Sequence, residues 1–307
     1  MSSLIWIEEA DVVLVSGEQA TVYLNGQISA GIESLVLGQA QRSLLLGPDG
    51  TLVAPLGVRR LGENDYALFS PFGTGVEVVK RLERFRLRTK VGFASSPGCI
   101  VHLCGGSEAE TAELSHLVDN KIDGSGSSPQ RQVGEVFLRQ HYFTVGCNEI
   151  AGFLTDVEFF DHSATARILA GEPAWGFEII AGMNPMELGE HYIRSSADFE
   201  KGCYTGQELI ARVDARGYKT PRRLSNFLIR FSDKESTTMD SLEFAVDGKP
   251  AFTLTSYRYY DPGNCGIALG FVHRLGGEYF AKVSTGLCDV HSVELGNLEK
   301  ALASVEW

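Results

Sequence analysis

The chain has 307 residues, 44% apolar and 21% charged, a balance that excludes the disordered and fibrous classes and can fill the cores of two domains. Its 27 Lys and Arg residues stand against 39 Asp and Glu residues, and the net charge of −12 excludes a general nucleic-acid coat. No stretch approaches the roughly 20 apolar residues that cross a bilayer. We therefore expect a cytoplasmic protein with no membrane partner and no direct nucleic-acid partner.

The N-terminal segment 11–29 predicts a strand, a turn and a short helix. A strand-like apolar run leads to Ser16 and then to Gln19, at the spacing of a capping box. Three apolar side chains then recur at helical spacing and predict the buried face of the helix: Ala20, Tyr23 and Leu24.

A hairpin and a second helix follow. Two apolar runs within residues 38–61 flank a turn at 47–50, where Pro48 presets the bend and Gly50 relieves its end. Residues 75–90 predict a helix whose apolar positions recur at helical spacing: Val76, Val79, Leu82 and Phe85.

The six cysteines are too sparse for a secreted disulfide scaffold, so we expect them to be mostly reduced. Cys99 and Cys104 are five residues apart on a predicted strand, and this spacing points their side chains to opposite faces. That favours core packing over a shared metal. The seven histidines show no HxxxH or HExxH spacing, and we predict no metal site.

The C-terminal part is rich in strands. After residue 221, short apolar runs are broken by Asp-Gly, Pro-Gly and Gly-Gly turns, which predicts a small antiparallel barrel or sandwich. Polar stretches at 123–130 and 232–241 predict connections. We place a first domain, with two interleaved subdomains, at 1–225 and the barrel domain at 226–307.

The segment 199–224 holds the most chemistry. Thr205 and Glu208 have capping-box spacing and predict a helix that begins at about Gly206. Cys203 precedes this helix, and the helix end together with Lys201 would favour its thiolate. Two interpretations stay open: Cys203 is a reactive thiol, or it packs beneath the helix while Lys201 is a solvated surface charge.

The same segment carries a resemblance. KGCYTGQE, residues 201–208, resembles the signature of the YgfZ-type folate-binding proteins, which are relatives of the glycine-cleavage T protein. Further segments resemble other parts of that family and extend the similarity over nearly the whole chain, with 91–160 the least clear part: ATVYLNGQIS (20–29), the hairpin at 38–61, ARILAGEPAWG (166–176), NPMEL (184–188) and the stretch 247–274.

The resemblance implies an α+β fold of the T-protein type, with three lobes around a central hole and a C-terminal antiparallel β-barrel. It further implies a protein that binds tetrahydrofolate or a related reduced folate and supports iron–sulfur cluster assembly or repair. Its partners would be iron–sulfur assembly proteins or client enzymes, among them enzymes that modify tRNA. Cys203 and Lys201 are the candidate catalytic residues, and seven residues are candidates for folate binding: Asn25, Gln27, Arg167, Glu187, Tyr204, Gln207 and Glu208.

Two alternatives accompany this hypothesis. The first is a folate-dependent aminomethyltransferase or demethylase of the T-protein type. Such enzymes carry paired aspartates on the second hairpin strand, where this sequence has Ala54 and Pro55, and neither can polarise an amine. The resemblance therefore leaves open whether the chain is an enzyme. The second is a nucleic-acid binder, suggested by basic residues within 80–90 and 212–223, although such runs are usually solvated faces and the second could instead receive a folate polyglutamate tail.

Overall fold

The fold is given by a computed structural model that describes residues 4–122, 125–154, 163–231, 243–260, 265–275, 278–279, 281–284 and 288–304. No helix among these residues is long and apolar enough to cross a bilayer. The predicted connection at 232–241 lies outside them, as do residues 123–124 of the predicted connection at 123–130.

An antiparallel sheet forms the first layer. In the described part of the chain it has eight strands: β1 (Leu4–Ser16), β2 (Ala40–Leu46), β3 (Leu52–Arg60), β4 (Asp65–Pro71), β5 (Gly92–Gly105), β6 (Gly126–Ser127), β7 (Arg131–Val133) and β8 (Val136–Phe143). Their order is β2-β3-β4-β1-β5-β8-β6, and β7 pairs with β8. The long strands β1 and β5 pair from Leu4 opposite Cys104 to Ser16 opposite Gly92, and they form the middle of the sheet.

The predicted hairpin is confirmed as β2 and β3. At its turn Gly47 N–H donates to the carbonyl oxygen of Thr51 at 2.8 Å, and Asp49 Oδ1 accepts from the Thr51 hydroxyl at 2.8 Å. Gly50 has a φ of +84°, a left-handed conformation that glycine adopts without strain.

Some of the helices cover one face of this sheet, and the others lie elsewhere along the chain. They are α1 (Ala20–Asn25), α2 (Gly75–Arg86), α3 (Glu108–Lys121), α4 (Cys147–Phe153), α5 (Ser163–Ala170), a 3₁₀ helix (Pro185–Leu188), α6 (Glu190–Arg194), α7 (Gln207–Asp214) and α8 (Leu298–Ser304). Helices α1 and α2 pack on one half of the sheet and α3 and α4 on the other half, which gives two lobes.

The buried face predicted for α1 is confirmed, because Ala20, Tyr23 and Leu24 are all buried. The capping box is wrong: the Gln19 side chain does not cap α1, and its Oε1 instead accepts a hydrogen bond from the backbone N–H of Lys90 at 2.8 Å.

The face predicted for α2 is partly wrong. Val78 and Leu82 are buried, but Val76 is 78% exposed. The helix begins at Gly75, whose N–H donates to Asp11 Oδ2 at 2.8 Å, and this anchor turns the face of Val78 toward the sheet. The helix also ends earlier than predicted, at Arg86.

A second antiparallel sheet forms the third lobe. Its described strands are β9 (Arg222–Phe231), β10 (Glu243–Val246), β11 (Lys249–Tyr260), β12 (Cys265–Leu275), β13 (Glu278–Tyr279), β14 (Lys282–Ser284) and β15 (Cys288–Val293). The order is β10-β11-β12-β9-β15-β14, with β13 on β12, and the two end strands approach each other. The predicted α+β fold with a C-terminal antiparallel barrel is confirmed. The boundary at 225/226 stays a prediction, and it falls inside β9.

The cysteine prediction for β5 is confirmed. Cys99 is buried with the core under α3 and α4, whereas Cys104 is buried with the core shared by the first sheet, α5 and the barrel. The two side chains therefore occupy opposite faces of the sheet.

Candidate functional site

A central cavity of about 990 Å³ lies on the face of the first sheet that α1–α4 leave free. Its walls come from β1, β2, β3, β4, β5 and β8 on one side, and from α5, the segment 172–179, α6 and β11 on the other. Ligand pockets commonly measure roughly 300–1,000 Å³, so the volume suits one extended organic ligand.

Aromatic side chains form much of the apolar wall. The Phe69 and Tyr142 rings pack against each other with centroids 5.2 Å apart. At the rim Phe72 is 68% exposed and Phe177 is 56% exposed. The aromatic residues that line the cavity are Phe69, Phe72, Tyr142, Trp175, Phe177, Tyr192 and Tyr257. These rings offer flat apolar surfaces for stacking against a heteroaromatic ligand.

A buried ion cluster, Arg42–Glu172–Arg131, lies at the cavity. Arg42 Nη2 is 3.0 Å from Glu172 Oε1, and Arg131 Nη2 contacts Glu172 Oε2. Burial by itself would raise the pKa of Glu172, but the two guanidinium groups outweigh it and lower the pKa to about 2. Glu172 is therefore ionised at neutral pH and holds both arginines in place.

Arg42 has one donor to spare. Its guanidinium stacks over the Tyr192 ring at 4.2 Å, yet Nη1 is buried without a hydrogen-bond partner among the described residues. An unsatisfied buried donor costs about 1–3 kcal/mol. A ligand that brings an acceptor oxygen or nitrogen into the cavity can remove this cost.

A second ion pair joins the cavity to the barrel. Arg167 Nη1 donates to Glu178 Oε2 at 2.7 Å, and the hydroxyl groups of Thr255 and Ser256 donate to Glu178 Oε1 at 2.7 and 2.6 Å. Glu178 is 1% exposed, and both carboxylate oxygens are bonded. The cluster Arg167–Glu178–Thr255–Ser256 therefore ties α5 to β11.

Of the residues predicted from sequence, Arg167 lines the cavity. Asn25 bonds to Glu33 at 3.3 Å, and Gln27 Oε1 accepts from Arg81 at 3.2 Å. Glu187 forms an ion pair with Arg222 at 2.9 Å. The structure thus places these three away from the cavity, each bonded to a neighbour, and their role in folate binding stays a prediction.

The signature segment 201–208 packs on the hairpin turn between β2 and β3. Gly206 approaches Gly47 and Gly50 so closely that a side chain on Gly206 would collide with the turn. Tyr204 is buried with Leu44 and Leu46 of β2. The signature residues do not line the cavity.

Lys201 has a structural role in this segment. Its Nζ donates to the carbonyl oxygens of Ile28 and Ala30 at 2.9 and 2.8 Å and lies 5.0 Å from the centroid of the Tyr204 ring. Burial lowers its pKa to about 8. The picture of Lys201 as a solvated surface charge is therefore wrong, since the ammonium joins the signature to the segment after α1.

Cys203 is exposed, so the interpretation that it packs beneath the helix is also wrong. The predicted helix is present as α7, beginning at Gln207, but the Thr205–Glu208 capping box is wrong. Gly206 occupies the cap position in a left-handed conformation, and Gln207 Oε1 accepts from the Tyr204 N–H at 3.1 Å.

The chain resembles known proteins in sequence. No family model matches the chain. The chain is 26% identical over 230 residues to the tRNA-modifying protein YgfZ of Yersinia pseudotuberculosis, an alignment that covers 70% of this chain and 68% of that protein. It is 23% identical over 256 residues to the protein of the same name from Photorhabdus laumondii, with 80% and 77% covered.

The structural comparison points the same way. The crystal structure of the glycine cleavage system aminomethyltransferase T from Bartonella henselae matches with a TM-score of 0.69 at 15% identity, covering 95% of this chain and 86% of that chain. The resemblance to YgfZ-type proteins is confirmed. At this identity the T-protein match establishes the fold.

The hairpin strand β3 brings no carboxylate to the cavity. Ala54 is buried in the core beneath α1 and α2, and the positions of β3 that line the cavity are Pro55, Leu56 and Gly57. Alanine, proline, leucine and glycine have no side-chain group that can accept a proton. The acidic side chains that do line the cavity come from β1, Glu8 and Glu9, and from Glu172 after α5.

Sequence reasoning missed most of the cavity. Arg42, Glu8 and His102 are charged or polar residues within strands that also contain apolar runs. A polar residue at such a position was the feature of the sequence that could have indicated the cavity. Within the described ranges, no group of three or more His, Cys, Asp or Glu side chains could hold a metal ion.

Proposed function

We propose that this protein binds tetrahydrofolate or a related reduced folate in the central cavity. The observation that carries the proposal is the spare Nη1 donor of Arg42, buried at the wall of an aromatic-lined cavity. The pyrimidinone half of a reduced pterin is flat and carries a carbonyl acceptor, so it could stack on the aromatic wall and accept from this donor. The T-protein fold and the similarity to YgfZ proteins support the same ligand class.

The test is anaerobic calorimetry with tetrahydrofolate. We expect a dissociation constant near 1 μM, about −8 kcal/mol. Arg42→Lys keeps a charge beside Glu172 but removes the planar donor, and we expect affinity to fall about tenfold, the worth of one hydrogen bond to a charged group.

Arg60→Lys is the matched control. Arg60 also lies on a hairpin strand, but its guanidinium bonds to the carbonyl oxygens of Leu35, Gly62 and Glu63 and does not line the cavity. Its substitution should leave affinity unchanged. Absence of heat and of any thermal shift at millimolar tetrahydrofolate would overturn the proposal.

We further propose that the folate-bound protein supports iron–sulfur cluster assembly or repair, and through it the iron–sulfur enzymes that modify tRNA. The relatives carry the name tRNA-modifying protein, and the exposed Cys203 offers a thiol to a cluster protein at the surface. In cells lacking the protein, wild type should restore the activity of such an enzyme, whereas Cys203→Ser should not, with an unchanged melting temperature. Full rescue by Cys203→Ser would remove this role from the thiol.

A further inference from the structure

A chain of hydrogen bonds runs along the sheet wall of the cavity through four side chains. Tyr142 Oη donates to Gln140 Oε1 at 2.8 Å, Gln140 Nε2 is 3.2 Å from His102 Nδ1, and His102 Nε2 is 3.0 Å from Glu8 Oε2. All four residues line the cavity, and the chain joins β8, β5 and β1. We name it the Tyr142–Glu8 relay.

The donors and acceptors fix the direction of the relay. Because Gln140 Oε1 accepts from Tyr142, its amide nitrogen is the group that faces His102 and can only donate. His102 Nδ1 therefore accepts, and the ring carries its hydrogen on Nε2, which donates to the Glu8 carboxylate. This arrangement holds the imidazole in one tautomer.

Packing fixes the imidazole as well. His102 is 4% exposed and stacks on Trp6, with ring centroids 4.7 Å apart and planes inclined by 11°. The Glu8 side chain, in contrast, is 40% exposed. The relay is therefore rigid at its buried end and presents the carboxylate at its open end to the cavity.

The Glu8 carboxylate is ionised, and one of its two oxygens already accepts a hydrogen bond. Burial would raise the pKa of Glu8, but the interaction with His102 outweighs it and lowers the pKa. Glu8 Oε2 accepts from His102, and none of the residues that the structure describes donates to Oε1. Glu172, which holds Arg42, lines the same cavity as Glu8 and Arg42. The free acceptor of Glu8 and the spare donor of Arg42 thus belong to one polar region.

We propose that Glu8 Oε1 accepts a hydrogen bond from an N–H donor edge of the cavity ligand, of the kind that a 2-amino-4-oxo heterocycle carries, and that His102 is the positioning residue that orients the carboxylate. The proposal rests on reduced-folate binding and adds the group that orients the ring. A ligand held by Glu8 and Arg42 together must present a donor edge and an acceptor, which distinguishes a pterin from an apolar aromatic molecule.

The first experiment changes the ligand. Calorimetry on the wild-type protein compares tetrahydrofolate with its 2-desamino-2-methyl analogue, which lacks the exocyclic N–H donors. We expect the analogue to bind about 10- to 100-fold more weakly, the range for a hydrogen bond to a charged acceptor. Equal affinity of the two ligands would overturn the inference, and it requires no variant to fold. Absence of binding by both ligands would instead count against the proposed function.

The second experiment changes the protein. Glu8→Gln keeps an oxygen for His102 but turns an amide donor toward the cavity, so affinity for tetrahydrofolate should fall about 10- to 100-fold while affinity for the analogue changes little. His102→Phe keeps the stacking on Trp6 and removes the orienting hydrogen bond. As a single variant it should weaken tetrahydrofolate binding, and in a double variant it should cause no further loss beyond that of Glu8→Gln.

Glu18→Gln is the control, because that carboxylate pairs with the exposed Lys90 at 2.8 Å outside the cavity. It should bind both ligands as wild type does. Unchanged tetrahydrofolate affinity in a folded Glu8→Gln protein, or equal losses for both ligands, would show that Glu8 does not recognise the donor edge.

Discussion

Replacement of Glu172 by glutamine tests the ion cluster that shapes the cavity. The carboxylate lies between Arg42 and Arg131, which lower its pKa from 4.5 to about 2 against the opposing effect of burial. Breaking a buried ion pair by removing one partner costs about 3–5 kcal/mol. We expect Glu172→Gln to be destabilised by that amount at neutral pH, because two buried guanidinium groups lose their anion.

The pH dependence has a definite sign. A carboxylate whose pKa is lower in the folded than in the unfolded state stabilises the fold above the unfolded pKa, and that contribution disappears as pH falls through the folded pKa. For Glu172 the lowering from 4.5 to about 2 corresponds to about 3 kcal/mol, at about 1.4 kcal/mol per pH unit. The wild-type protein should therefore lose this stability as pH falls below 4.5.

Urea denaturation of wild type and Glu172→Gln from neutral pH down to about pH 3.5 is the assay. The difference in unfolding free energy should be constant above pH 5 and should shrink below it, since glutamine does not titrate. Glu77→Gln, at an exposed ion pair with Lys80, should track wild type throughout. A difference that stays constant down to the lowest pH would refute the lowered pKa.

Further outcomes follow from single contacts. Gly57→Ala would place a methyl group against the Tyr142 ring, so it should lower the free energy of unfolding by about 1–3 kcal/mol and weaken tetrahydrofolate binding. Gly152→Ala, in open space, should do neither. Equal unfolding midpoints of the two variants would contradict this. Peptide-resolved alkylation at pH 7 should be fastest at Cys203, the exposed cysteine, and a faster buried cysteine would be the contrary result. Lys201→Met should speed hydrogen exchange in the signature segment yet change the Cys203 alkylation rate little, because the ammonium binds backbone carbonyls; strongly slowed alkylation would restore the thiolate-activating role. With an aminomethylated lipoyl carrier and tetrahydrofolate we expect no methylenetetrahydrofolate, and robust turnover would mean that a carboxylate outside β3 serves.

Local patterns predicted the elements well because their causes are local. The turn at Gly50 and the buried side of α1 at Leu24 depend on a few neighbouring residues. The face of α2 depends instead on a contact from β1, 64 positions away, where Asp11 binds the first N–H of the helix. Spacing within the helix therefore selected Val76, which the structure exposes.

The cavity could not be assembled from sequence patterns for the same reason. Glu8, Arg42 and Gln140 come from distant parts of the chain, and only the order of the strands brings them to one cavity. The eight-residue signature identified the resemblance without marking this cavity, because its Gly206 serves close packing on the hairpin turn. Arg167 was found because its segment resembled the family independently.

The bonds around Glu178 bear on how a ligand can enter. Swinging the barrel away from α5 would separate Glu178 from Thr255 and Ser256, and it would leave a buried carboxylate short of two hydrogen bonds. Each such loss costs about 1–3 kcal/mol, so wide hinge opening is disfavoured. We then expect a ligand to enter past Phe72 and Phe177, because exposed side chains such as these generally change conformer within nanoseconds. The cavity walls should therefore stay fixed while the rim side chains move. Association rates should respond to the size of the rim side chains more than to the stability of the barrel.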